Sequence, residues 1–313
     1  MAQKLASAPT RMIVLSAFAM MLLGPSQASA GVFTPIPGPQ NSFTGPYGIN
    51  DSGAISGTYG HSPGTQGFIE KSGVFTTVKF TGNPIDTQLF GINNSGVAVG
   101  YSRFANGDID FVYDHGQFSQ PFPTNFLPFG INDHGDIVGI TPGVNFQGFT
   151  YIGGVTAGLS FPGSLITSLT DINNTGTIVG SEEDAKQRFH GFIYDHGVFS
   201  TLDVPGADQT KVYGINDHGD IVGVYFIGAD GHGFLYDNSV FTPIDVPGAS
   251  FTEAHGINNS DEITLVSSLG GYLYTTSGVA GVPELGTWAW IIIGFGGVGW
   301  RLRRRRGPVS LIA

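Results

Sequence analysis

The 313-residue chain contains no cysteine. Structural disulfides, thiolate metal sites and cysteine nucleophiles are therefore excluded. Charge is also scarce: Asp, Glu, Lys and Arg make up 12% of the residues, about half the usual share. Low charge combined with 12% aromatic residues, including 24 Phe, describes a chain that buries enough apolar surface to fold. No phosphate-binding Walker loop and no His-Glu-x-x-His zinc motif occurs. Glycine is the abundant residue, at 49 of 313, roughly 16% against about 7% in an average protein. It lacks the Gly-X-Y period of collagen and is too dense for long helices. Many short strands joined by tight turns remain.

The net charge of −11 hides an asymmetry. All 24 acidic residues but only six of the 13 bases lie between Gly31 and Gly286, a net of −18. An acidic domain is a poor partner for nucleic acid, which needs a basic face. The remaining bases sit at the ends. Lys4 and Arg11 precede an apolar run from Met12 to Leu23, and Ala28-Ser29-Ala30 follows. A basic region, a short apolar core and an Ala-x-Ala site predict a secretory signal peptide over 1–30, cut between Ala30 and Gly31; the competing reading is an uncleaved anchor. At the other end an apolar stretch, Trp288 to Trp300, leads into Arg301-Leu302-Arg303-Arg304-Arg305-Arg306. Tryptophans at both interfaces and a positive block after the span predict a membrane segment over 288–300 and a cytoplasmic tail over 301–313.

The residues before that span sharpen the expectation. Val282-Pro283-Glu284, then Trp288-Ala289, then the glycine-rich span and the Arg block resemble the PEP-CTERM sorting signal of Gram-negative bacteria. Leu285 stands where that signal has its second Pro. The resemblance covers about residues 282–306. It implies an exported protein held transiently in the inner membrane and cut near Pro283-Glu284 by an exosortase-type processing enzyme. Such proteins accompany exopolysaccharide and biofilm production. Residues 276–287 then form a linker carrying the sorting motif.

The middle of the chain is a repeat. An Ile-Asn-Asn/Asp-x-Gly pattern places its Ile at 49, 92, 131, 172, 215 and 257, at spacings of 43, 39, 41, 43 and 42 residues; in the sixth copy Asp261 stands where the Gly recurs. A Gly-Phe-x-Tyr-type element follows each copy, as in Gly191-Phe192-Ile193-Tyr194 and Gly233-Phe234-Leu235-Tyr236, and then a Val-Phe element such as Val198-Phe199. The same Val-Phe element opens the region at Val32-Phe33-Thr34-Pro35, matching Val240-Phe241-Thr242-Pro243. Each unit reads as four short strands: alternating residues, a Pro-Gly turn, a second strand ending at the Ile, an Asn-x-x-Gly hairpin and two more strands. Four strands per roughly 42 residues is the blade of a β-propeller. Residues 31–275 hold six such units, so the expected fold is all-β, a monomeric six-bladed propeller. If the blade boundary falls inside the unit, the Val32 strand completes the last blade and zips the ring. A linear solenoid is the alternative, but it would need polar capping repeats.

The repeat also resembles the bacterial extracellular HAF-repeat family, whose units carry a Gly-Ile-Asn-x-x-Gly turn and a His-Ala-Phe-type strand. Here Gly-Phe often replaces the latter, with the His kept in His190-Gly191-Phe192 and His232-Gly233-Phe234. The resemblance covers about 31–275 and implies an exported repeat domain without an established common activity.

Candidate chemistry is thin. The pairs Asp114-His115, Asp133-His134, Asp195-His196 and Asp217-His218 occupy hairpin turns, where Asp and Gly suit left-handed geometry; they are expected on separate blades, without convergence on a site. Asn132 to Asp136 and Asn216 to Asp220 lack the alternating ligands and distal Glu of a calcium loop, so weak calcium has no locus and no cofactor is assigned. Sequons at Asn93, Asn173 and Asn258 fall in the repeated turn. The repeated Phe and Tyr are core positions. The non-repeating Phe104, Phe146 and Phe226, in the variable loop before the fourth strand of the unit, are the better ligand contacts. These features favour a non-catalytic binding or structural role toward polysaccharide or a surface protein. The alternative is a secreted glycan hydrolase or lyase that uses the channel or a face.

Overall fold

The computed structural model describes residues 31–276 except 62, 124, 125 and 142–145. The leader with Ala30, the sorting motif Val282-Pro283-Glu284, the span from Trp288 and the block containing Arg301, Arg303, Arg304, Arg305 and Arg306 lie outside the described residues. Gly31 is the first described position. Among the described residues no helix is long and apolar enough to cross a membrane.

Those residues form 24 strands and a single 3-10 turn at Pro39–Asn41. The strands make six four-stranded antiparallel sheets, which are the blades of a six-bladed β-propeller. The innermost strands are Thr44–Ile49, Asp86–Ile92, Leu127–Ile131, Ile166–Ile172, Gln209–Ile215 and Thr252–Ile257. Each blade continues outward in chain order; the fifth adds Ile221–Ile227, Asp230–Asp237 and Val240–Ile244. The sixth has only three strands in sequence, and Val32–Pro35 supplies its outer edge by pairing antiparallel with Gly270–Thr275. The first strand of the repeat region thus latches the last, as the integral count of units requires.

The core sits between blades. Four of the six apolar clusters join the inner strand of one blade to the second strand of the preceding blade. Val179 of blade 4 packs with Val212, Ile215 and Phe234 of blade 5, and Val138 of blade 3 packs with Leu169, Ile172 and Phe192 of blade 4. Alternation along the strands produces this arrangement. In Gln209–Ile215, Thr210 and Val212 are buried between blades while Lys211 and Tyr213 are half-buried toward the axis.

Five phenylalanines, Phe68, Phe111, Phe149, Phe192 and Phe234, are completely buried. Each lies opposite a glycine of the neighbouring strand: Gly57, Gly100, Gly139, Gly180 and Gly223. The ring lies over that glycine; a Cβ on Gly180 would sit 2.8 Å from the Phe192 ring. Blade 6 exchanges both partners at once, with Leu265 opposite Tyr272. The inner-strand backbone requires the glycine as well, since the same Cβ on Gly180 would sit 2.0 Å from the Ser168 carbonyl oxygen. Phe192 also contacts Phe161 and Phe199, at 5.6 and 5.3 Å between centroids.

Phe192→Ala should lower stability by about 3–5 kcal/mol, the usual cost of emptying a closed aromatic site. Val198→Thr, at an outer-strand valine that is 62% exposed, should stay within about 0.5 kcal/mol. Urea unfolding of both variants checks the contrast.

Candidate functional site

One end of the propeller axis is built from the six repeat hairpins, five Asn-x-x-Gly and one Asn-x-x-Asp at Asn258–Asp261. In each, the first Asn organises its own turn. Asn216 accepts at Oδ1 from the N–H groups of His218 at 3.0 Å and Asp220 at 2.9 Å. Its Nδ2 then reaches the next blade and donates to the Asn258 carbonyl at 3.3 Å. The same bond runs from Asn50 to the Asn93 carbonyl, Asn93 to Asn132, Asn132 to Asn173, Asn173 to Asn216 and Asn258 to Asn50. The circuit closes, and all six side chains are buried.

A second circuit lies above the first. The residue after each Asn is, in blade order, Asp51, Asn94, Asp133, Asn174, Asp217 and Asn259. Acid and amide alternate without a break. Each backbone N–H donates to the Oδ1 of the next blade's residue at 2.7–2.9 Å. Each of the three Asn Nδ2 groups donates to the Oδ2 of the carboxylates on both sides at 2.8–2.9 Å. The backbone bond fixes which oxygen faces away, so an unbroken run of Asn would set amide donors against one another, and a run of Asp would set anions together. Alternation alone satisfies every group. Burial pushes the Asp217 carboxyl up, but bonds from Asn259 and Asn174 and the nearby His218 outweigh it, and its pKa lies below the ordinary value.

Behind this mouth the inner strands present one residue each, two places before the repeat Ile: Tyr47, Phe90, Phe129, Thr170, Tyr213 and His255. Five are aromatic rings in continuous contact. Centroid separations are 5.1 Å for Phe90–Phe129, 5.4 Å for Tyr47–Phe90, 5.0 Å for Tyr47–His255 and 4.4 Å for the stacked Tyr213–His255 pair. Mouth and girdle enclose a cavity of about 320 Å³. The blades approach closely here because the next residue is Gly48, Gly91, Gly130, Gly214 or Gly256; a Cβ on Gly91 would sit 2.7 Å from the Phe129 carbonyl oxygen.

Blade 4 departs from this pattern. Thr170 interrupts the girdle, and Asp171 replaces the glycine. The Asp171 carboxylate accepts from the Ile215 N–H of the next blade at 3.1 Å and from the Ile172 N–H at 2.9 Å. Burial raises its pKa to about 7 despite those two bonds. A second departure lies in blade 6, where Glu253 accepts from His255 Nε2 at 3.1 Å. Burial pushes Glu253 up, but His255 and Lys211 outweigh it and leave the carboxyl below its ordinary value. Lys211 turns its ammonium onto the Phe189 ring at 4.0 Å.

The candidates expected from sequence fall elsewhere. Phe104, Phe146 and Phe226 sit on blades 2, 3 and 5 near the opposite rim, beside the loop between second and third strands. Phe104 packs edge-on against Phe80 at 6.2 Å, Phe146 is exposed, and Phe226 is half-buried. None of the three lines the central cavity. Of the Asp-His pairs, those in the outer turns are exposed; His115 bonds only its neighbour Asp114, at 2.6 Å. Asp133 and Asp217 do not stay apart as expected, because Asn174 bridges them. The alternation that joins them was readable at 51, 94, 133, 174, 217 and 259. The sequon residues Asn93, Asn173 and Asn258 are buried members of the inner circuit, which leaves no room for a glycan. His218, Asp220 and Asp261 bring ligand atoms within 4.8 Å of one another and are the described residues best placed for a cation. They are fewer than the six to eight oxygens calcium takes, and Asn216 already donates to Asp220 at 3.0 Å. Gly60-His61-Ser62-Pro63-Gly64 spells a nucleophile elbow. Ser62 lies outside the described residues; the flanking elements Ile55–Tyr59 and Gln66–Lys71 are two strands of one blade, whereas an elbow needs a strand-to-helix turn.

No family model matches the chain, and no curated protein does. Solved structures match at the level of fold. A protein of unknown function from Bacteroides thetaiotaomicron superposes with a TM-score of 0.51 at 11% identity, covering 79% of this chain and 76% of that one. A streptogramin B lyase gives 0.46 at 11% identity, covering 80% and 99%. TolB from Acinetobacter baumannii gives 0.49 at 14% identity, covering 66% of this chain and 55% of that one. At these identities the likeness defines the class, a β-propeller, and carries no activity with it.

Two outcomes follow from the geometry. Asn174→Asp removes both donors between Asp133 and Asp217 and places three anions in a row, so it should cost about 1–3 kcal/mol at pH 7 and less below about pH 4, as thermal melts at the two pH values would show. Asp171 has a folded pKa of about 7 against an ordinary 3.8, so its contribution is present below the lower value and lost as pH rises through the upper one. Wild type should therefore weaken relative to Asp171→Asn as pH rises from 4 to 7, by at most about 1.4 kcal/mol per pH unit.

Proposed function

We propose that this protein is an exported, non-catalytic binding propeller. Its central channel, framed by the Asn/Asp mouth and the aromatic girdle, receives a ligand presented by a surface polysaccharide or protein. The carrying observation is how the polar groups of the channel are used. The outer-circuit carboxylates each accept from amides and a backbone N–H, and Asp171 accepts from two backbone N–H groups. A general acid or base needs a free path to a reacting atom, whereas these carboxylates serve as braces of a preformed cavity. Aromatic faces with a few placed polar groups suit binding. The two ends of the chain support export: a signal peptide over 1–30 and a PEP-CTERM-like segment processed by an exosortase-type enzyme near Pro283-Glu284. Such sorting places the mature domain on the cell surface or in the extracellular matrix, in the company of exopolysaccharide.

One observation favours a second reading, a glycan-active hydrolase or lyase. Asp171 and Glu253 break the repeat on the channel side, and their pKa values move in opposite directions, the pattern of an acid and base pair. Two experiments decide. Mass spectrometry of native protein from membrane and medium should find a species beginning at Gly31 and ending near Pro283; a product retaining Trp288 to Arg306 in the inner membrane would reject the sorting scheme. Glycan-array binding without release of reducing ends or unsaturated products supports the binding role. Turnover that is lost in Asp171→Asn or Glu253→Gln would establish the enzyme instead.

A further inference from the structure

The chemistry of the channel selects one class of ligand more narrowly. We infer that the cavity behind the Asn/Asp mouth binds an organic ammonium group, in the manner of an aromatic cage. This rests on the reading of the channel as a binding site and names what it binds.

The geometry is that of a cage. Four successive contacts join Phe129, Phe90, Tyr47, His255 and Tyr213 at 4.4–5.4 Å between centroids. In a circuit of six positions the side of the hexagon equals its radius, so the ring centroids stand about 5 Å from the axis, within the roughly 6 Å at which a ring face attracts a cation; the parallel Tyr213–His255 pair stacks face on face and lines the cage without turning those faces to the axis. The cavity of about 320 Å³ holds a small molecule carrying a methylated or primary ammonium group.

The electrostatics point the same way. Three carboxylates, Asp51, Asp133 and Asp217, ring the entrance and also line the cavity. Their hydrogen bonds come from neutral amides and backbone groups, which orient the anions without cancelling their charge. Asp171, which carries only part of a charge near neutral pH, stands at the gap in the girdle. The nearby lysine, Lys211, has its ammonium drawn onto Phe189. A ring of anions around a low-dielectric, aromatic-walled hole focuses a negative potential along the axis. A neutral sugar gains from the aromatic walls but nothing from that potential, and an anion is repelled. The domain over 31–275, at six bases to 23 acids, adds to the same field.

The test uses the purified full-length protein in mild detergent, titrated calorimetrically with choline and with its uncharged isostere 3,3-dimethylbutan-1-ol. Choline should bind at least tenfold more tightly than the isostere. Its affinity should fall at least fivefold in Phe129→Leu, which keeps an apolar side chain in the girdle, and in Tyr213→Ala. Val198→Thr, on the outer strand, should bind as wild type does. Rising salt should weaken choline and leave the isostere unchanged. Equal affinity for the two probes, or binding of neither, overturns the inference. Binding of neutral oligosaccharides in the channel with no choline binding also overturns it while leaving the binding role intact, and the absence of both would remove the two together.

Discussion

Ring closure imposes a constraint on hydrogen-bond polarity that an open sheet never meets. Around the mouth every residue of the outer circuit bonds both neighbours, so whatever pattern runs along it must agree with itself after one turn. Backbone N–H donation fixes Oδ1 of each side chain toward the preceding blade, leaving Oδ2 or Nδ2 for the lateral contacts. Lateral pairs are satisfied only between unlike groups, an amide and a carboxylate. A closed alternation needs an even number of members. Six blades meet the condition; five or seven would leave one like pair, either facing donors or facing anions. Blade number is usually argued from the wedge shape of the packed sheets. Here side-chain chemistry at the axis favours the same choice over the neighbouring odd counts.

The two circuits also explain why polar residues stand at the narrowest part of a charge-poor protein. A buried amide costs free energy unless each donor and acceptor is matched. The first Asn of each hairpin uses Oδ1 within its own turn and Nδ2 across the blade boundary, so one residue both shapes a turn and registers two blades. Apolar clusters between blades supply most of the stabilisation, but they are indifferent to small slips of one blade along another. The amide bonds are directional and are lost on slippage. Their contribution is to registration, in the way that buried polar networks specify a unique arrangement. The edge pairing of Val32–Pro35 with Gly270–Thr275 closes the rim, and Asn258 to Asn50 closes the axis. The ring is thus sealed at both radii, by backbone bonds outside and side-chain bonds inside.

Much of this fold was legible because a blade is a local object. The spacing of Ile49, Ile92, Ile131, Ile172, Ile215 and Ile257, the turn chemistry after each and the stray Val32 strand suffice to predict six four-stranded units and their closure. The buried Phe of the third strand was legible too, since a residue that recurs in every unit belongs to the shared core. The site was much less so. Its contacts across blades join residues about 42 positions apart that meet only at the axis, so no short sequence window contains both members of such a contact. Reading Asp133 and Asp217 as separate turn formers was sound within each hairpin and missed the circuit that joins them. The search for non-repeating aromatics led to Phe104, Phe146 and Phe226 in variable loops. The girdle instead uses a position where five of six copies carry a ring of changing identity, a pattern that comparison of the units reveals only when they are aligned on the Ile. Asp171 was visible as a departure from the repeat, the one copy without Gly before that Ile, but its meaning depends on the close approach of the neighbouring blade.

Symmetry and its breaks divide the work of the channel. The repeated groups build a mouth whose anions are held in place by neutral amides, so their charge persists where a salt bridge would have quenched it. The departures then give the cavity direction. Thr170 opens the girdle on one side, Asp171 fills the space a glycine leaves elsewhere, and the Glu253–His255 pair stiffens the arc beside the gap by anchoring the ring that stacks on Tyr213. A perfectly sixfold channel would present identical walls at every angle and could fix a ligand only along the axis. With one polar gap in an aromatic arc, a bound group is oriented about the axis as well. That second constraint separates a pore from a binding site, and it arises from two residues, Thr170 and Asp171, in a single repeat.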